Sequence, residues 1–186
     1  MNIYDIIKKI EDSGRAVYNA NQLSNLISKN KKITSVYISR LINKKLVSKI
    51  QKGTISTTNN DLIIATQLIE PSYISLNSAL LFHNLLTQIP KNTECVTTIN
   101  SRYIKSEKIY YHKTNPKYYF GFKKYKIENS YAFIADPEKA ILDGLYYKKY
   151  NFDYLLEMRS KINYYKLKKY SKLYNNKIKE MIKNVR

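Results

Sequence analysis

Residues 34–45 hold a set of side chains suited to reading the edges of DNA bases. Projected onto a helix at about 100° per residue, Ile38, Leu41 and Ile42 share one face with Thr34, while Val36, Arg40 and Asn43 fall opposite, flanked by Ser39 and Lys44. Arg matches guanine O6 and N7, Asn matches adenine N6 and N7, and an outward Val suits a thymine methyl. Ser35 and Lys32 extend this set toward the start of the helix. Around Gly53, Lys49, Gln51, Lys52 and Thr54 provide a second group, with Lys52 at the tip as the foremost expected phosphate contact. Lys29 and Lys31 can serve phosphate in the same way. Such contacts position a protein on DNA and carry no sequence information. The competing reading of the helix is a polar face that is simply solvated.

Other reactive side chains do not form a constellation. His83, His112 and the single Cys95 lack metal-ligand spacing. Asp136, Glu138 and Asp143 are explained by a helix start and one ion pair, Lys139 with Asp143, four residues apart in the weaker orientation. With four Gly in the chain there is no Gly-rich phosphate loop. The Gly-Ser and paired Asp of an active nucleotidyltransferase are also missing. No enzyme activity, metal or cofactor is expected.

Charge points to a polyanion. The chain carries 33 Lys and Arg against 14 Asp and Glu, a net +19. The excess is uneven: residues 1–60 hold 11 basic and 3 acidic groups, 61–143 hold 10 and 8, and 144–186 hold 12 and 3. Uniform A/T-rich codon usage would not leave a near-neutral middle between two basic ends. A lone Cys and the lack of an early apolar run favour a reducing cytoplasm and no membrane anchor.

The elements that position these residues follow from period and punctuation. Ile3, Ile6, Ile7 and Ile10 mark a first helix ended by Ser13-Gly14. Val17-Tyr18 reads as extended. Asn19 or Asn21 caps a second helix with Leu23, Leu26 and Ile27 inward. Residues 29–32 read as a polar turn and Thr34–Lys44 as a third helix. LVSKIQKGTIST then reads as a hairpin turning at Gly53, and Lys45 stands at the corner where Gly often closes a helix. Three helices and a hairpin in this order define a winged helix-turn-helix over residues 1–60. A three-helix interaction module with a structural hairpin is the alternative.

From Asn59-Asn60-Asp61 onward, residues 61–186 read as a second domain. LIIATQLIE is a helix broken at Pro71, and Ser75 or Asn77 caps LNSALLFHNLL. CVTTI, KIYYH, KYYFGFKKYKI and SYAFIA predict a small antiparallel sheet. Asp136-Pro137-Glu138 opens a helix, and the Lys- and Tyr-rich tail is helical, with Leu155, Ile162, Tyr170, Leu173, Tyr174, Ile178, Met181 and Ile182 at the apolar positions. The expected class is therefore α+β: an N-terminal winged helix-turn-helix, then an α/β domain with a small antiparallel sheet and C-terminal helices. If the rings of KYYFGF were exposed, they would offer an RNA-stacking surface instead.

PSYISLNSALLFHNLLTQIP (71–90), YYFGF (118–122) and ADPEKAILDGLYY (135–147) resemble, in this order after a winged helix, the AbiEi-type antitoxin and transcriptional-regulator family. The likeness covers roughly residues 5–150. It implies a type IV toxin–antitoxin system whose antitoxin represses its own operon through promoter inverted repeats in double-stranded DNA. It also implies a functional partner, a nucleotidyltransferase-type toxin counteracted without a stable complex. The chain itself is expected to be a monomer or weak dimer. DNA binding then belongs to the third helix and hairpin, and antitoxin action to the C-terminal domain. A module that neutralises a toxin while binding nucleic acid only non-specifically is the competing expectation.

Overall fold

A computed structural model describes residues 2–185. These residues form an α+β fold with nine α-helices among them, a three-stranded antiparallel sheet and a six-stranded mixed sheet. The N-terminal part runs α1 (Ile3–Asp12), β1 (Val17–Asn19), α2 (Ala20–Ile27), α3 (Lys31–Asn43), β2 (Ser48–Gln51) and β3 (Thr54–Ser56). Its strands lie in the order β1-β3-β2. Ile6, Ile10, Leu23, Ile27, Leu41 and Ile55 close a small core between the helices and this sheet.

Asparagine starts most of the helices. Seven of the nine helices among the described residues begin at an Asn whose side chain accepts a hydrogen bond from a backbone N–H of the first turn. Each such cap satisfies a donor that would otherwise lack a partner. One cap corrects an expectation. Asn30 accepts from Ile33 N at 3.0 Å, so α3 begins at Lys31 rather than Thr34. Lys31 and Lys32 are thus the first helical turn and not part of a polar turn; the cap acts three residues ahead of the apolar pattern.

The end of α3 is closed by two bonds, Lys45 N to Ile42 O at 2.9 Å and Leu46 N to Leu41 O at 3.0 Å. That pairing puts Lys45 at φ 55°, in the left-handed region. A non-glycine residue there costs roughly 1 kcal/mol or more. Lys45→Gly is therefore expected to stabilise the protein by about 1 kcal/mol and to raise Tm by about 2–4 °C in a thermal melt followed by circular dichroism.

The rest of the chain builds the larger sheet. It runs α4 (Asp61–Leu68), β4 (Ser72–Ile74), α5 (Leu76–Phe82), β5 (Thr93–Thr97), β6 (Arg102–Ile104), β7 (Ile109–Lys113), β8 (Phe122–Ile127), β9 (Ser130–Ala135), α6 (Pro137–Tyr146), α7 (Phe152–Met158), α8 (Tyr164–Ser171) and α9 (Asn176–Asn184). The small antiparallel sheet expected from the sequence is corrected on two counts. There are six strands, in the order β6-β7-β5-β4-β9-β8, and the β4/β9 and β5/β7 pairs are parallel. Two strands were missed, each of three residues: β4, all buried and so without alternation, and β6, at the edge of the sheet. KYYFGFKKYKI is not one strand either: a 3-10 turn occupies Pro116–Tyr118 and β8 starts at Phe122.

Helices cover both faces of this sheet. On one, Tyr111 donates its hydroxyl to Ala65 O in α4 at 2.7 Å; on the other, Tyr73 reaches Asp143 in α6. The tail helices extend the second layer. Leu155, Leu167, Tyr174, Ile178 and Ile182 are buried in the main core, whereas Lys168, Lys169, Lys172, Lys177 and Lys183 stay in water. Leu173, assigned to the apolar side by its spacing, is exposed instead. No helix among the described residues is long and apolar enough to cross a membrane.

Gln67 of α4 joins the two parts of the chain. Its Oε1 accepts from Ala16 N at 2.9 Å and Val17 N at 3.1 Å; its Nε2 donates to Ser130 Oγ and Tyr131 O, both at 2.9 Å. A buried amide with two acceptor and two donor bonds is fully satisfied. Arg15 adds an ion pair to Glu70 at 2.8 Å and a bond to Gln67 O at 2.8 Å. The three-helix unit is therefore held to the sheet by directed polar contacts.

Candidate nucleic-acid interface

The buried side of α3 carries Thr34, Ile38 and Leu41, which fixes the side left to solvent. Val36 is 50% exposed, and Lys32, Ser35, Ser39, Arg40, Asn43 and Lys44 are also exposed. Ile33, at 43% exposed, joins Val36 as a second outward apolar side chain that sequence reasoning missed. Its spacing of three from Val36 is the signal that could have found it.

The hairpin stands beside α3. Between them runs a groove of about 310 Å³ bordered by Ser35 and Ser39 of α3 and by Lys49, Gln51, Lys52 and Thr54. Gly53 has φ +74° at the tip, and a Cβ built there meets nothing, so the backbone conformation rather than crowding selects Gly. Lys49, Gln51 and Lys52 are exposed. Thr54 is a correction: it is only 6% exposed, because β3 is the central strand and Thr54 lies between Asn19 of β1 and Gln51 of β2. Its side chain offers little to an incoming ligand.

Hydrogen bonding refines the chemistry of this face. Ser35 Oγ donates to Lys31 O at 2.9 Å and Ser39 Oγ to Ser35 O at 3.1 Å, so both hydroxyls are left as acceptors. Lys44 is exposed, with its Nζ 5.6 Å from the centre of the Tyr4 ring. Among the described residues, Lys31, Lys32, Arg40, Lys44, Lys49 and Lys52 have no carboxylate within salt-bridge distance. Lys31 and Lys32 also sit at the positive end of the α3 dipole with no acid in the first turn, an arrangement that an anion relieves.

The acidic residues 136–143 take a different form. Lys139 and Asp143 are an ion pair with both side chains 0% exposed. Asp143 also accepts from Ser75 Oγ at 2.7 Å, Tyr73 OH at 3.0 Å and Tyr174 OH at 3.2 Å. The Lys139 ammonium donates to Tyr174 OH at 2.6 Å and lies 4.9 Å from the centre of the Phe120 ring. A Cβ on Gly121 would stand 3.1 Å from Lys139 carbons, so the chain approaches this lysine closely. All three segments 71–90, 118–122 and 135–147 thus meet at one buried cluster. This explains why Ser75 and Asp136, at the starts of α5 and α6, make no side-chain cap bond. Ser75 is spent on Asp143, and Asp136 holds Lys166 at 2.8 Å.

His83 Nε2 lies 2.9 Å from Ala135 O, and Cys95 is fully buried, which pushes its thiol well above the usual range. Among the described residues, no group of three or more His, Cys, Asp or Glu is placed to hold a metal ion. KYYFGF presents no open ring surface: Tyr118 is buried, and Tyr119, Phe120 and Phe122 are half-buried. No family model matches the chain, and no curated protein matches it in sequence.

Proposed function

We propose that this chain is a sequence-specific transcriptional regulator that docks residues 3–56 on duplex DNA as a winged helix-turn-helix, with α3 in the major groove and the β2–β3 hairpin as the wing. The observation that carries the reading is the outward face of α3, where Val36, Arg40 and Asn43 are exposed together beside a basic hairpin. Arg40 is the candidate for guanine, Asn43 for adenine, and Val36 with Ile33 for thymine methyls. Ser35 and Ser39, as acceptors, suit the amino groups of adenine or cytosine. Lys31, Lys32, Lys44, Lys49 and Lys52 face phosphates.

The likeness of the three C-terminal segments to AbiEi-type antitoxins extends the proposal. The regulator would be the antitoxin of a type IV system, repressing its own operon and opposing a nucleotidyltransferase-type toxin. It has no catalytic role in this reading.

The test is fluorescence anisotropy with the chain's own upstream region and a scrambled duplex of equal length, for the unaltered protein and two variants. Arg40→Ala is expected to lose about 1–3 kcal/mol on the operator and far less on the scrambled duplex. Lys52→Ala is expected to weaken both alike. Equal affinity of the unaltered protein for both duplexes at physiological salt would overturn the proposal.

A further inference from the structure

At the β6–β7 end of the large sheet, side chains from neighbouring strands form a row of rings. Tyr103 and Tyr110 are register partners with centroids 5.9 Å apart. Tyr110 lies 4.5 Å from His112, and His112 lies 4.8 Å from Tyr147, both at shallow interplanar angles of 35° and 30°. The row runs from the surface inward: Tyr103 is 47% and Tyr110 38% exposed, while His112 is buried. The two outer rings are therefore held in place from behind, as a stacking platform requires.

The surroundings are basic. Lys105 and Lys108 occupy the turn between β6 and β7, Lys91 leads into β5, and Lys149 places its Nζ 5.5 Å from the centre of the Tyr110 ring. Two acids lie here: Glu107, in the turn between Lys105 and Lys108, and Glu94, which accepts from Lys149 at 2.6 Å and His112 at 3.3 Å, so Lys91, Lys105 and Lys108 remain in excess over Glu107. Beside the row opens a cavity of about 500 Å³ lined by Asn77 and by Asn92, Glu94 and Lys149, which contact Tyr103, His112 and Tyr110 in turn. That size suits a nucleotide. Amide donors next to a carboxylate acceptor match a base edge or a ribose 2′-hydroxyl, neither of which a bare phosphate offers.

We propose that this face is a second nucleic-acid site, which binds single-stranded RNA by stacking bases on Tyr103 and Tyr110. It shares no residue with α3 or the hairpin, so it stands or falls separately from the duplex site.

The experiment is anisotropy with a labelled oligouridylate, an abasic oligomer of equal length and charge, and the matching oligodeoxyuridylate. The unaltered protein is expected to prefer the base-bearing RNA over the abasic strand by about 5- to 150-fold for each stacked base. A Tyr103→Ser/Tyr110→Ser double variant should lose that preference while its melting temperature and duplex binding hold. Equal binding of the base-bearing and abasic strands by the unaltered protein overturns the proposal, and needs no variant. A folded double variant that keeps the preference also overturns it. Equal affinity for the deoxy strand overturns the choice of RNA.

Discussion

Asp143→Ala is expected to destabilise the fold by about 3–5 kcal/mol, because it leaves the Lys139 ammonium buried without a counter-ion. Both side chains are completely enclosed, so water cannot replace the lost carboxylate. Three hydroxyls, on Tyr73, Ser75 and Tyr174, lose their acceptor in the same step. Burial, followed by the nearby Asp143 charge, pushes the Tyr73 and Tyr174 hydroxyls well above the usual tyrosine range, so both remain protonated donors. Burial also lowers Lys139, although Asp143 pulls the other way. For a chain of this length the loss corresponds to a drop in Tm of about 6–20 °C.

Urea unfolding measures this directly. Replacing both partners, as Lys139→Met with Asp143→Leu, should recover much of the loss, because two desolvated ions are exchanged for apolar volume. Recovery should stay incomplete, since the hydroxyls remain without their acceptor. A loss below about 1 kcal/mol for Asp143→Ala would mean the pair behaves like a surface ion pair, and the enclosed cluster would be wrong.

Operator affinity is expected to fall about 500-fold between 50 and 200 mM salt if five lysines neutralise phosphates, since each released counterion steepens the log–log slope by about 0.9. The five are Lys31, Lys32, Lys44, Lys49 and Lys52, all exposed and none held by a carboxylate among the described residues. The slope should lie at about −4 to −5, and Lys52→Ala should make it shallower by about one. An anisotropy titration across the salt series reads both values. A slope of about −1 would show that these lysines do not meet the backbone. A slope near about −10 would require a further basic surface, such as the exposed lysines of α8 and α9.

Most local structure was legible because local physics decides it. Asn before an apolar period marks a helix start, and Ser13-Gly14 and Gly53 punctuate the chain where the backbone needs freedom. Hence the order of three helices and a hairpin could be read without coordinates, as could the inward face of α3. The shift in the start of α3 is instructive: the apolar period begins at Thr34, but the cap that governs the backbone is Asn30. Thr54 was misjudged because alternation describes a hairpin with one open face, whereas β3 has a partner on each side.

The C-terminal half was less legible, and for one reason. The pair Lys139 and Asp143 reads the same whether a helix lies in water or in a core; it is buried only when segments arrive from 71–90, from 118–122 and from the tail, which brings Tyr174. The same holds for the tyrosines. Composition shows 19 of them but not that Tyr118 is covered while Tyr103 and Tyr110 are open. The sequence by itself determined the Asn19 cap, the turns at Ser13-Gly14 and Gly53 and the outward face of α3, each of which acts over a few residues, together with the uneven charge. Tertiary structure decided strand order, parallel pairing, which charges are enclosed and which rings face water, because each depends on what distant segments bring to the same place.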